Sequence, residues 1–413
     1  MLNKLNKLRT KLSWSLGGNL IYALSQWLII TVIARFGSAE DLGIYSLGLA
    51  ITAPIVLFFS FQLRTILATD SKDEYEFPQY LGSRIVHLTL SFIMISPIAI
   101  LYGNDKKTII VILLMGLVKY IEALSDICMG YFQKKGRVDL IGKSQFYRGI
   151  TTAFTVSLLY VSTQNIVLSI MGLLFVMILR FILYDIKNLK PYTKVVPVFE
   201  SSWHKLMKMA FPLGVASLIS SLNTNIPRYF LDYFWGVEEV GIFSALYYVL
   251  IAGNMFLTPI SLLAAPRIAN AYNKATINSF VKVNIQLSAI VTIIFFVFIS
   301  IVLTKGELIL SVLYGKEYAL YLNSFVVLSF SLLFGFLTTF FALSAVAARV
   351  IKIQPFVNFM VMIVTIIASY YCIRFNGILG ASYSLLISRI FQMLFSLGLL
   401  LFIIWTKKKN RKF

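Results

Sequence analysis

The chain predicts an all-α polytopic membrane protein of about twelve transmembrane helices, in two six-helix lobes related by a parallel internal repeat. Three observations predict it. Of the 413 residues, 59% are hydrophobic and 13% charged, and the mean hydropathy is +0.83, outside the range of soluble domains. Apolar windows of about 20 residues recur along the whole length. Residues 40–46 (EDLGIYS) reappear as residues 238–244 (EEVGIFS), each copy with a glycine just upstream, Gly37 and Gly236.

The apolar windows place spans at roughly 12–35, 42–68, 83–102, 108–132, 143–162, 165–186, 209–235, 240–266, 281–303, 319–346, 353–374 and 377–405. Two of the divisions rest on short polar turns, 162–165 (STQN) and 374–377 (RFNG). The two repeat copies follow the first and seventh spans. An even number of spans separates them, so both have the same orientation, which calls for a repeat axis along the membrane normal. The lobes are then 12–186 and 209–405, joined by a linker at 187–208 (KNLKPYTKVVPVFESSWHKLMK).

The two ends have characters of their own. In residues 1–11, Leu2, Leu5 and Leu8 line up with Leu12 on one stripe, with Lys4, Lys7, Arg9 and Lys11 elsewhere, as in an interfacial amphipathic helix. Residues 406–413 form a basic tail. Putting both termini in the cytoplasm places most of the 37 Lys and Arg residues in inner loops. Only Lys106, Lys107, Lys305, Lys316, Arg374 and the helix-end Arg35 fall outside, and Arg64 and Arg84 fall at inner helix ends. The net charge of +20 is thus largely topological and suits an anionic inner leaflet; no nucleic acid is expected as a partner.

Catalytic and metal chemistry have little to stand on. Cys128 and Cys372 lie inside spans without disulfide or zinc spacing, and His87 and His204 are the only histidines. No catalytic residue and no metal ligand is expected. The longest outer loop, 304–318, is partly apolar and short for a site that handles sugars outside the membrane.

The informative residues are charges at membrane depth, which are costly and usually face a bundle interior or a water-filled cavity. Residues 109–133 carry Lys119, Glu122 and Asp126 on one helical face. Lys119 lies about 16 Å from the outer end of its span, near the midplane, and Arg389 has a similar depth in the last span. Both are expected to line a polar cavity. Arg148 and Arg180 lie within about 10 Å of the inner surface and Arg228 about as close to the outer one, so each is as well placed to snorkel to the interface as to line a cavity.

Local pairing competes with lining. Glu122 can neutralise Lys119 at i+3, Asp126 then has Arg148 as its expected partner, and Arg228 with Asp232 is an i,i+4 pair. Further polar residues occupy corresponding spans of the two halves: Asn19 and Gln26 in the first, Asn223 and Asn225 in the seventh. The substrate-cavity candidates are therefore Lys119, Arg389, Arg148, Arg228, Asn19, Gln26, Asn223 and Asn225. Glu122, Asp126 and Asp232 are candidates for ion coupling or for a charge network.

Four stretches resemble the polysaccharide flippases of the Wzx type, in the multidrug/oligosaccharidyl-lipid/polysaccharide (MOP) exporter superfamily. They are 122–144 (EALSDICMGYFQKKGRVDLIGKS), 223–245 (NTNIPRYFLDYFWGVEEVGIFSA), 309–319 (ILSVLYGKEYA) and 377–384 (GILGASYS). Spread through both halves and in order, they extend the resemblance over essentially the whole chain. It implies an oligosaccharide repeat unit on an undecaprenyl pyrophosphate carrier, moved from the inner to the outer leaflet by alternating access, for capsule or O-antigen biosynthesis. It also implies a multi-pass protein of the bacterial cytoplasmic (inner) membrane, with membrane lipids and polysaccharide polymerase or assembly proteins as neighbours. No cofactor is expected. With no phosphate loop of the GxxxxGK[ST] kind, the expected drive is a proton or sodium gradient or the membrane potential.

The residues are compatible with that substrate, because a diphosphate entering the membrane needs cations to replace its hydration. Two other functions stay open. A drug or organic-cation antiporter of the same superfamily would share the fold but present acids and aromatics rather than mid-membrane cations. A membrane polysaccharide polymerase or ligase would call for more polar outer structure.

Overall fold

The computed structural model describes residues 2–103, 105–199, 202–254, 257–274, 276–350 and 353–409. All of its long elements are helices: α1 Leu2–Phe36, α2 Ala39–Ser60, α3 Leu63–Thr69, α4 Phe77–Tyr102, α5 Lys106–Lys134, α6 Val138–Thr163, α7 Ile166–Arg180, α8 Lys187–Leu189, α9 Ser202–Trp235, α10 Val237–Asn254, α11 Leu257–Lys274, α12 Ile277–Leu313, α13 Leu322–Ala347 and α14 Gln354–Lys409. No strand occurs among the described residues. Backbone groups satisfied within each segment are what a lipid environment requires.

Nine helical stretches among the described residues are long and apolar enough to cross a membrane. The last of them, Gln354–Lys409, contains two expected spans merged at Gly377, whose φ of 49° and ψ of −127° are non-helical and suit a residue without Cβ. The break falls in the 374–377 turn. Trp235 lies over it, its indole N–H donating to the Ile373 carbonyl at 2.8 Å. α6 falls short of an apolar span because Asp139, Lys143 and Arg148 dilute it. The protein is an all-α, multi-pass membrane protein.

Local sequence explains where the helices start. Ser38 caps α2 by accepting from the Asp41 N–H, and Glu40 and Asp41 fill its first turn, where the helix dipole favours anions. The second repeat copy opens α10 in the same way, with Gly236 at φ 93° followed by Glu238 and Glu239 in the first turn. Asp105 caps α5, and the hydrogen bonds from Thr108 hold its carboxyl below the usual carboxylate range. Between α2 and α3, Phe61 and Gln62 both adopt left-handed backbone, at φ 46° and 48°, and re-aim the chain so that α3 packs on α5.

Two compact units emerge, Met1–Leu222 and Asn223–Phe413, dividing inside α9. In the first, α1 and α6 form the most extensive helix pair. Their backbones touch: a Cβ on Gly18 would lie 1.9 Å from the Gly142 carbonyl oxygen, and one on Gly142 would lie 2.0 Å from that of Trp14. Such close approach through small residues is how helices associate where lipid leaves little hydrophobic drive. The start of α9 joins this unit through Phe211 against Phe58 and through the hydrogen bond from Gln62 to Ser217. In the expected linker region, the Val198 N–H donates to the Pro78 carbonyl. The second unit centres on α13 packed along α14. The helical backbone of α1 covers residues 2–11 of the expected amphipathic segment 1–11, but most of the side chains that define its stripe lie outside the described residues, as do residues 410–413 of the tail.

Candidate functional site

In the first unit, α1, α2, α3, α5, α6 and the start of α9 enclose a cavity of 460 Å³. Its apolar wall is Ala53, Val56 and Leu57 of α2. Its polar wall is the charged face of α5 with Tyr22, Gln62, Arg64, Gln145 and Arg148. The helical spacing of Lys119, Glu122 and Asp126 delivers all three to that wall.

Glu122 is the hinge of the network. One carboxylate oxygen takes the Lys119 ammonium at 2.9 Å, and the other takes the Arg148 guanidinium at 2.7 Å. Arg148 also lies over the Tyr22 ring, 4.3 Å from its centroid, and donates to the Tyr22 hydroxyl at 2.7 Å. One turn further along α5, Asp126 accepts from Arg64 at 2.8 Å and lies 3.7 Å from Arg84, which is fully buried. The expected Asp126–Arg148 pairing is thus replaced. Arg148 sits level with Glu122, while α3 and α4 bring their own arginines to Asp126.

Four cations surround two carboxylates here: Lys119, Arg148, Arg64 and Arg84 against Glu122 and Asp126. The cavity region is therefore net positive and suits an anion. Arg64 and Arg84 were legible only as helix-end cations. The approach of Arg64 to Asp126 follows from the left-handed turn at Phe61–Gln62 and from Gly130, where Arg64 packs within 3.2 Å of a built Cβ, and Arg84 arrives through the packing of α4 on α5. No local motif announces either.

Snorkelling does not occur at the three arginines near the membrane surfaces. Arg148 is 5% exposed, Arg180 6% and Arg228 5%. Arg180 pairs at 2.8 Å with Asp185, fully buried in the π-helical turn Phe181–Ile186. Ser125 of α5 and Ser144 of α6 donate to the same carboxylate at 2.6 and 2.8 Å. A longer i,i+5 spacing brings this pair together, and the π turn supplies it. In the second unit, Arg228 donates to Ser244, to the Thr224 carbonyl and to Asn225, and stacks on Tyr247 at 5.0 Å.

The remaining candidates divide. Arg389 lines a smaller cavity of 180 Å³ in the second unit, with Tyr247, Ser331 and Thr339. Asn19 donates to the Ser15 carbonyl of its own helix, and Asn223 donates to the Asn358 carbonyl. Gln26 and Asp232 are half-buried on α1 and α9. Neither cavity is lined by Asn19, Gln26, Asn223, Asn225 or Asp232. Among the described residues no cluster of three or more His, Cys, Asp and Glu side chains could hold a metal ion.

Comparison with known proteins extends this picture. The chain is 29% identical over 374 residues to the capsular polysaccharide biosynthesis protein CapF of Staphylococcus aureus, covering 90% of this chain and 93% of that one. Among solved structures, an inward-facing multidrug resistance MATE family transporter of the MOP superfamily matches with a TM-score of 0.78 at 11% identity, over 94% of this chain and 96% of that one. The lipid II flippase MurJ in an inward closed conformation matches with a TM-score of 0.76 at 16% identity, over 92% and 86%. The chain therefore shares the fold of these two structures. At these identities the solved structures carry the fold alone, and it is sequence that separates polysaccharide from drug relatives. The model of the polysaccharide biosynthesis protein family matches residues 8–272, well over half of the chain, which belongs to that family.

Proposed function

We propose that the protein is a flippase. It moves undecaprenyl-pyrophosphate-linked oligosaccharide repeat units from the inner to the outer leaflet of the bacterial cytoplasmic membrane, by alternating access, for capsule or O-antigen assembly. The observation that carries this reading is the net-positive wall of the first unit's cavity, where Lys119, Arg64 and Arg148 outnumber Glu122 and Asp126, with Arg84 fully buried 3.7 Å from Asp126. A diphosphate diester needs about two compensating charges when it leaves water; the three lining cations exceed the two carboxylates by one, and the buried Arg84 adds positive charge beside Asp126. The family match and the capsule-biosynthesis relative support the polysaccharide side of the reading.

Both carboxylates of the cavity are engaged by cations, which supports a role in holding Lys119 and Arg148 in place rather than in binding a coupling ion. Energy is drawn from a proton or sodium gradient or from the membrane potential, acting elsewhere in the molecule. Polymerase and assembly proteins receive the product at the outer face, and both termini lie in the cytoplasm.

Deletion of the gene in the source cell, followed by analysis of lipid-linked intermediates, tests the reading. Complete repeat units should accumulate on the inner leaflet. Complementation with Lys119→Ala should leave surface polysaccharide absent at unchanged protein level. Unpolymerised units already at the outer face in the deletion strain would point to a polymerase and overturn the proposal.

A further inference from the structure

The second unit holds a cavity with chemistry unlike that of the first. Arg389 enters it from α14, Ser331 and Thr339 from α13, and Tyr247 from α10, while no Asp or Glu lines it. Arg389 is half-buried, and one of its guanidinium nitrogens donates to Gln392 on the same helix at 3.0 Å. Among the described residues it makes no ion pair, in contrast to the cavity cations of the first unit. A half-buried arginine without a carboxylate is an unmet demand for an anionic oxygen pair, which its planar fork takes in bidentate fashion.

The rest of the wall describes what that anion is attached to. The Ser331 and Thr339 hydroxyls donate to carbonyls of their own helix, Leu328 and Gly335, so each offers its remaining oxygen lone pairs as acceptors for ligand hydroxyls. Tyr247 supplies an aromatic wall, held from the α9 side by the stacked Arg228. Gly335 removes a side chain from the α13 wall, where a Cβ would meet nothing within 4 Å. At 180 Å³ the space admits one ring-sized group and no chain.

We infer that this cavity is a subsite for one carboxylate-bearing sugar ring, with Arg389 taking the carboxylate, Ser331 and Thr339 taking ring hydroxyls, and Tyr247 closing one side. The inference rests on the flippase reading for its biological substrate and adds that the repeat unit carries an acidic sugar. Charge separates this ligand from the carrier diphosphate. One lining cation balances a monoanionic carboxylate, whereas a diphosphate diester needs about two.

The test uses the purified full-length protein in lipid nanodiscs, with methyl glucuronide, methyl glucoside and inorganic pyrophosphate as probes in separate titrations. Wild type should bind the glucuronide at least tenfold more tightly than the glucoside. Arg389→Gln should reduce that ratio to about one, and Arg389→Lys should restore part of it. Equal binding of the two glycosides by wild type overturns the inference, as does a ratio unchanged by Arg389→Gln. If Arg389→Gln weakens pyrophosphate instead of the glucuronide, the anion at this site is the carrier's diphosphate and the sugar assignment is wrong. The flippase reading is measured apart from this, by translocation of a lipid-linked repeat unit in proteoliposomes, so either can fail alone.

Discussion

Glu122 of α5 and Arg148 of α6 meet at 2.7 Å on the wall of the first unit's cavity, and the second oxygen of the same carboxylate holds Lys119 at 2.9 Å. One acid thus positions two cations from two helices. Glu122→Gln removes the charge but keeps the shape, leaving Lys119 and Arg148 to repel each other at depth. Losing one partner of a buried network costs about 3–5 kcal/mol, and the opening toward the cavity lowers this to about 2–3 kcal/mol. Thermal unfolding in detergent should show that loss. The double variant Glu122→Gln, Lys119→Met should recover part of it, because one of the stranded charges is gone. A double variant no more stable than Glu122→Gln alone would contradict the shared-carboxylate account.

Arg84 offers a sharper contrast. It is fully buried, none of its guanidinium nitrogens makes a hydrogen bond among the described residues, and Asp126 lies 3.7 Å away. Asp126 has Arg64 as a closer partner at 2.8 Å. Arg84→Met therefore removes a poorly solvated charge while Asp126 stays paired, and should cost less than about 1 kcal/mol. Asp126→Asn strands Arg84 and should cost about 3 kcal/mol or more. Unfolding midpoints of the two variants, compared under one condition, decide the matter; the reverse order would show that Arg84 contributes through contacts other than Asp126.

The contrast between these two acids marks how far the sequence could be read. Lys119 with Glu122 was legible because i,i+3 neighbours on a helix meet whatever surrounds them. The helices themselves were legible from apolar windows, and the break in α14 from the RFNG turn that contains Gly377. The partner of Asp126 was not legible. It depends on the setting of α3 against α5, which follows the left-handed residues Phe61 and Gln62, and on the packing of α4 against α5, and no periodicity encodes either. For Arg180 snorkelling and cavity lining stayed equally open, because its depth was readable and its i+5 partner was not. An α-helix places i+5 off the facing stripe, and only the π turn brings Asp185 back.

That Arg180–Asp185 pair ties three helices together, since Ser125 and Ser144 bond both the carboxylate and the guanidinium. Asp185→Asn should lower stability by about 3–5 kcal/mol, as expected for a stranded buried arginine. Ser125→Ala and Ser144→Ala should each cost about 1–2 kcal/mol, the scale of a hydrogen bond to a charged group. Because Arg180 is buried with its partner, Asp185→Leu combined with Arg180→Met should be more stable than Asp185→Asn alone. Equilibrium unfolding of the four variants checks the order, and a double variant less stable than Asp185→Asn would mean the pair does more than neutralise itself.

The contact between α1 and α6 couples packing to the cavity. Gly18 and Gly142 let the two backbones touch, and further along the same contact a Cβ on Gly149 would lie 2.9 Å from the Tyr22 Cα. Tyr22 is the residue on which Arg148 stacks, so the spacing of the helices sets where the Arg148 guanidinium can sit. Gly142→Val places a branched side chain against the Trp14 carbonyl and must push the helices apart, since backbone cannot yield as a side-chain tip can. The expected cost is about 1–3 kcal/mol from overpacking, with a loss of export larger than that loss of stability explains. Gly17→Val is the control: one residue away on α1, its Cβ would meet nothing within 4 Å, and it should leave both properties near wild type. Surface polysaccharide and unfolding midpoint, measured on both variants at matched protein level, test the coupling. If Gly142→Val unfolds early yet exports normally, the helix contact is packing alone and Arg148 does not depend on it.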